Sequence, residues 1–187
     1  LKRVAADNKS DISDRLPSPV AVKNGKRIAL IGAGPASLTV ARDLAPLGYD
    51  LVVYDGDSKA GGMIRSQIPR FRLPEEVIDE EVGYITGLGI ETRCGESVTP
   101  ARLETLAREY DALILATGLQ RVQGLRVPGN GLPGVEDGLA FLRRVNLEGA
   151  SAIPGHVPGH VVVLGGGNTA MDCARSALRC GAERVTV

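Results

Sequence analysis

Arg27-Ile28-Ala29-Leu30-Ile31-Gly32-Ala33-Gly34-Pro35-Ala36-Ser37 is the stretch whose reading decides the fold. An apolar β-forming run enters a turn with glycines two residues apart, and an amphipathic pattern over 35–46 then predicts a helix. Gly32 lets the chain leave a buried strand in a tight turn, and Gly34 lets a pyrophosphate approach backbone that a Cβ would shield. Ser37, the third small position, lets helix and strand pack closely, and the helix N-terminus turns free N–H groups toward phosphate oxygens. A second strand, 50–54, ends at Asp55, 23 residues after Gly32, where a carboxylate can accept hydrogen bonds from a ribose 2′-OH. The plainer reading is a βα turn with incidental glycines and Asp55 as a strand-end residue. Strand, turn, helix and acid in register favour the nucleotide site.

The same pattern returns further along the chain. Val161-Val162-Val163-Leu164 runs into Gly165-Gly166-Gly167-Asn168-Thr169-Ala170, with Gly165 lying 133 residues after Gly32. Gly165, Gly167 and Ala170 take the three roles. One such turn suggests a nucleotide; two at this separation suggest two dinucleotides, an electron donor and an electron carrier. The residue that would select NADPH or NADH belongs at the end of the strand 184–187, so that choice stays open.

Composition narrows the class. The 187 residues carry 22 Lys+Arg and 22 Asp+Glu, a balance that argues against nucleic acid or an anionic membrane as the main partner. No apolar run approaches bilayer length, and the first ten residues are polar and charged rather than a signal peptide. Three cysteines without paired spacing suit a reducing compartment, and the expected location is cytoplasmic. With no Trp, two Phe and 24 Gly, the core must be built from Val, Leu, Ile and Ala, as in an α/β sheet protein.

Along the chain, 1–24 reads as a short helix and a linker from an upstream module, 25–150 as the first nucleotide-binding domain, and 151–187 as the truncated start of a second. Met63 to Pro74, with two prolines and three arginines, predicts an irregular loop at a surface or ligand. Helices are expected over 75–88, 101–109 and 135–146, a short strand over 90–93 and a buried strand over 110–116. The stretch 151–159 reads as a Pro/Gly/His linker.

The order of these motifs resembles one flavoprotein module. Gly32-Ala33-Gly34-Pro35-Ala36-Ser37, Asp55 with Gly61-Gly62, Ile68-Pro-Arg-Phe-Arg-Leu-Pro74, Ala116-Thr117-Gly118 and Gly165-Gly-Gly-Asn-Thr-Ala-Met-Asp172 are similar to the electron-input module shared by the glutamate synthase small subunit and the N-terminal part of dihydropyrimidine dehydrogenase. The likeness runs from about Lys26 to Val187, and even Leu1 to Asp7 is similar to the exit from that family's iron–sulfur domain. It implies an α/β fold: a Rossmann-like FAD-binding domain with the start of a nested NAD(P)-binding Rossmann domain. It implies that Gly32, Ala33, Gly34, Pro35 and Ala36 face the FAD pyrophosphate, that Asp55, Gly61, Gly62 and Met63 line its adenosine and ribityl side, and that Arg72 and Val98 also touch FAD. Gly166, Gly167, Asn168 and Thr169 would meet NADPH or NADH.

The implied reaction passes a hydride from NAD(P)H to FAD, and electrons then leave for iron–sulfur clusters outside this chain or for a partner subunit. The 187 residues alone are expected to be inactive. Asp55 stands where many members have Glu, and Gln67 where many have Gly. Arg65-Ser-Gln-Ile-Pro69 and the Cys173 to Cys180 string lean toward the dihydropyrimidine dehydrogenase pattern. Rival readings are an electron-input domain of that second kind, a dehydrogenase with one dinucleotide, and a non-catalytic dinucleotide-binding fragment.

Other reactive residues read as structural. Cys173 and Cys180, seven apart on a predicted helix, are separated by roughly 10 Å along its axis, too far for a disulfide. Neither makes a C-x-x-C pair with Cys94. His156 and His160 sit among prolines and glycines and read as solvated linker. Arg65 and Arg70 read as a solvated charged loop, and Asp172 as a charge complementing a helix N-terminus.

Overall fold

Four parallel strands form the main sheet of the computed structural model, which describes residues 2–119, 122, 124–149 and 159–187. After helix α1 (Lys2–Asp7), strand β1 (Arg27–Ile31) leads to α2 (Pro35–Leu44) and β2 (Asp50–Asp55). The chain continues through α3 (Met63–Ser66), α4 (Glu75–Thr86), β3 (Glu91–Cys94), α5 (Pro100–Glu109) and β4 (Ala112–Leu115). Strand order is β3-β2-β1-β4, with Arg27 opposite Asp50 and Ile28 opposite Ala112.

The central strands are covered on both faces, which explains their unbroken apolar runs. Ile28, Leu30, Leu51 and Val53 pack with Ala41 and Ala45 of the α2 side and with Leu88 and Ile90. Ala29, Ile31, Val52 and Tyr54 point the other way, onto Leu106 of α5 and Tyr110. Alternation along each strand thus feeds two cores. The expected buried strand at 110–116 is shorter and less covered: β4 lies at the sheet edge and Leu115 is 64% exposed. The loop expected over 63–74 begins as the helical turn α3.

Then follow α6 (Gly138–Glu148), β5 (His160–Val162), α7 (Asn168–Arg179) and β6 (Arg184–Thr186). β5 and β6 pair in parallel as a separate two-stranded sheet, His160 opposite Arg184. His160 therefore opens a strand rather than ending a linker, its Nε2 2.9 Å from Thr186 Oγ1. His156 and the rest of 151–158 lie outside the described residues. A small cluster of Ala177 and Ala182 with Phe141, Val161 and Val185 holds this unit, while Val162 and Leu164 stay exposed. α6 and α7 approach closely: a Cβ on Gly138 would come within 2.9 Å of Cys173 Sγ. Among the described residues no helix is long and apolar enough to cross a membrane.

The second core carries a titratable pair. Tyr54 and Tyr110 hydroxyls meet at 2.9 Å, their rings edge to face, with Arg93 over one ring and Arg27 over the other. Burial, then the hydrogen bond its hydroxyl donates to Tyr54, pushes the Tyr110 phenol from 10.0 up to about 12. The folded state therefore holds a proton that the unfolded chain releases. The stabilisation from this phenol is complete below pH 10 and is lost as pH rises from there toward 12, by at most roughly 1.4 kcal/mol per pH unit. Urea unfolding between pH 9 and 11.5 should show this slope in the wild type and a flatter one in Tyr110→Phe. Equal slopes would dissociate Tyr110 from alkaline unfolding.

Candidate dinucleotide-binding site

The first glycine turn sits where β1 ends, at the place where the chain connects to one side through β2 and β4 returns on the other. Parallel sheets bind ligands in this crevice. Gly32 has φ +104°, and a Cβ there would collide with the carbonyl of Ala116 and lie 3.1 Å from Thr117 Cα, at the exit of β4. Gly34 is different. Its φ of −79° suits any residue, and a Cβ would meet only Gly62 Cα, at 3.9 Å. The fold thus demands a glycine at 32 and leaves the space beside 34 open.

Gly61-Gly62 covers this turn from the neighbouring loop. Gly61 N–H donates to Ala33 O at 2.8 Å, and a Cβ on Gly62, at φ +55°, would fall 2.6 Å from Gly34 Cα. Asp55 lies beneath: Oδ2 accepts from Ala33 N–H at 2.5 Å and Oδ1 from Asp57 N–H at 2.8 Å. The short acid braces the glycine turn itself. Its remaining lone pairs can still meet a ribose.

Helix starts differ in their caps: the short α3, under Gly62, and α4, under Pro74, lack one, so a missing cap points to a ligand only where it adjoins a glycine turn that follows a strand. Thr99 caps α5 by accepting from Arg102 N–H, and Asp137 caps α6 by accepting from Leu139 and Ala140 N–H. α2 and α7 start under glycine, Gly34 and Gly167, with no side-chain cap. Pro35 stands in the first turn of α2, where a missing N–H costs nothing, and Ala36 follows it exposed. First-turn N–H groups without partners are what an anion can bind. Nothing would lie within 4 Å of a Cβ on Gly166 or Gly167, and Asn168 and Thr169 are exposed beside them. Both cradles are open backbone ledges that fit dinucleotide diphosphates. The Ser37 hydroxyl, fully buried behind the first, has no hydrogen-bond partner among the described residues.

The remaining expected residues are spread more widely. Met63, 49% exposed, begins α3 beside Gly62. Val98 packs half-buried against the core of Ala29 and Tyr54. Arg72 donates to Asp172 Oδ2 at 2.6 Å, which holds its guanidinium charged still more firmly. Asp172 is buried on α7 and ion-paired, not merely placed to complement the helix end.

Arg65 and Arg70 are not a solvated loop. Arg65 is 5% exposed and donates to Ala60 O, Glu75 and Asp79. Arg70 is half-buried, its Nη2 3.5 Å from Asn146 O. Sequence reading also missed Arg143, which grips Asp57 with a guanidinium fork, and Asn146, which donates to Ser66 O and Ile68 O. Both belong to α6 and fix the loops around the first cradle. A run of apolar and basic residues on a predicted helix contains no signal for such distant partners. Cys173 is buried, and its thiol is pushed from 9.0 up to about 11 by that burial. Among the described residues no group of His, Cys, Asp or Glu could hold a metal ion.

Comparison with known proteins identifies the family. Residues 26–187 match the family described as pyridine nucleotide-disulphide oxidoreductase. The chain is 44% identical over 171 residues to NADP(+)-dependent formate dehydrogenase subunit beta of Moorella thermoacetica, covering 88% of this chain and 23% of that protein. It is 35% identical over 170 residues to the glutamate synthase [NADPH] small chain of Azospirillum brasilense, covering 86% and 35%. FprA of Mycobacterium tuberculosis, solved in complex with NADPH, superposes with a TM-score of 0.69 at 23% identity over 80% of this chain and 36% of its own, a likeness of fold. The chain therefore spans about a quarter to a third of these curated relatives.

Proposed function

Because the chain belongs to the pyridine nucleotide-disulphide oxidoreductase family, we propose that it is the FAD- and NADPH-binding electron-input part of a longer flavoprotein of the glutamate synthase small-subunit type. The observation that carries this reading is the pair of glycine turns following β1 and β5, each opening an uncapped helix, α2 and α7, on two separate parallel sheets. The coenzyme names of the two relatives support NADPH as the donor. The outlet is iron–sulfur clusters outside this chain or a partner subunit, in keeping with relatives named as a beta subunit and a small chain.

When bound, FAD supplies the conversion of a two-electron hydride into electrons released singly. The protein's share is binding and orientation. Gly34 and the first turn of α2 would receive the FAD diphosphate, with Ala33 held by Asp55 and the turn roofed by Gly62. Gly166, Gly167, Asn168 and Thr169 would receive the nicotinamide dinucleotide at α7. No side chain here needs to move a proton, because hydride transfer between stacked rings requires none.

The test is direct. The full-length protein should purify with flavin absorption and oxidise NADPH with ferricyanide as acceptor, and NADH more slowly. A colourless protein that cannot be reconstituted with FAD would end the reading. The 187-residue chain alone, mixed with excess FAD, should oxidise NADPH no faster than free FAD does.

A further inference from the structure

We propose that Asp172 is a positioning residue: from its buried place in the second turn of α7 it fixes Arg72, so that loop 69–74 and the helix receiving the nicotinamide dinucleotide move as one body. The inference rests on the function proposed above. Its basis is the asymmetry of the pair. Asp172 has a side chain 7% exposed, whereas Arg72 is 39% exposed and comes from a loop a hundred residues earlier. A carboxylate that buried needs a partner in order to stay charged. The buried member therefore belongs to the helix, and the loop is held to it.

Two further contacts close the grip. The ring of Phe71, next to Arg72, lies under Arg175 and Arg179 of α7, with guanidinium carbons 4.3 and 4.0 Å from its centroid. Those arginines are four apart and thus on the same helix face as the loop. From α6, Asn146 donates to Ser66 O at 3.2 Å and to Ile68 O at 3.1 Å. The segment from 66 to 72 is thereby held at both ends by helices bordering the second unit, while Gly62, at the start of α3 just ahead of it, roofs the first cradle. Asn168 and Thr169, at the second cradle, lie within about one turn of Asp172 on the same helix. The pair is a mechanical link between the two cradles.

The test uses the full-length, FAD-loaded protein. Asp172→Asn keeps shape and removes charge. It should lower kcat at least tenfold with FAD content retained and the KM for NADPH within threefold, and it should diminish the change in flavin absorption produced by saturating NADP+. Asp172→Glu should recover part of both. On an Arg72→Gln background, Asp172→Asn should cost little more. Unchanged kcat and difference spectrum in Asp172→Asn, or fully additive losses in the double variant, would overturn the proposal. If Asp172→Asn does not fold, Arg72→Gln must show the same weakened difference spectrum, and a wild-type response there overturns it as well. A wild-type protein without flavin would remove the functional reading itself, an outcome distinct from an active flavoprotein indifferent to residue 172.

Discussion

Gly34→Ala should lose about 100-fold in FAD affinity, about 2.7 kcal/mol, while its urea midpoint stays close to that of the wild type. The protein leaves room for the methyl group, whose nearest neighbour would be Gly62 Cα at 3.9 Å. The ligand does not, because the diphosphate must approach this backbone. Gly32→Ala should do the reverse. There the methyl collides with Ala116 O in a conformation, φ +104°, that an L side chain rarely adopts. The expected cost is about 2–4 kcal/mol of folding stability. Titrating the flavin-free protein with FAD and unfolding each variant in urea separates the two effects. Full FAD stoichiometry and affinity in Gly34→Ala would remove this turn from the binding site.

Arg65→Met should destabilise the protein by about 2–3 kcal/mol although residue 65 has no assigned contact with a nucleotide. Its guanidinium donates to Ala60 O at 2.7 Å, Glu75 at 2.9 Å and Asp79 at 2.6 Å, tying α3 and the loop ahead of Gly61 to α4. Glu75 and Asp79 are roughly half exposed and can regain water, so most of the loss falls on the Ala60 carbonyl and on packing. The hydrogen bond from Arg65 holds the Asp79 carboxyl below its ordinary 3.8. That contribution is present above pH 3.8 and disappears as pH falls below it. Acid unfolding should therefore lose part of its pH dependence in Arg65→Met. A variant as stable as the wild type in urea at pH 7 would mean that the three contacts contribute nothing net.

These two residues show what kind of information a sequence holds. Gly32 announces itself because a strand, a turn and a helix start must all be satisfied within ten residues, and few residue types permit that backbone. Arg65 announces nothing. Flanked by Ile64 and Ser66 and followed by prolines, it looks like loop charge, because its partners lie on a helix ten to fourteen residues further on. The same holds for Asp172, read from its neighbours as a helix-end charge and found paired with a residue a hundred positions away. β4 looked buried from its apolar run, yet coverage depends on which strand lies next to it, and β4 has a neighbour only on the β1 side.

The sequence by itself determined the parallel α/β fold, the two glycine turns and the helices they start. Each of these is a local matter: apolar period, and glycines spaced for a tight turn between a strand and a helix. Only the tertiary structure decided that Asp55 spends one carboxylate oxygen on Ala33, that Gly62 is seated on Gly34, and that α6 and α7 seize the segment between. The physical reason is that hydrogen bonds and ion pairs join groups that are near in space. Which groups are near follows from how the crossover helices pack, and no window of neighbouring residues encodes that.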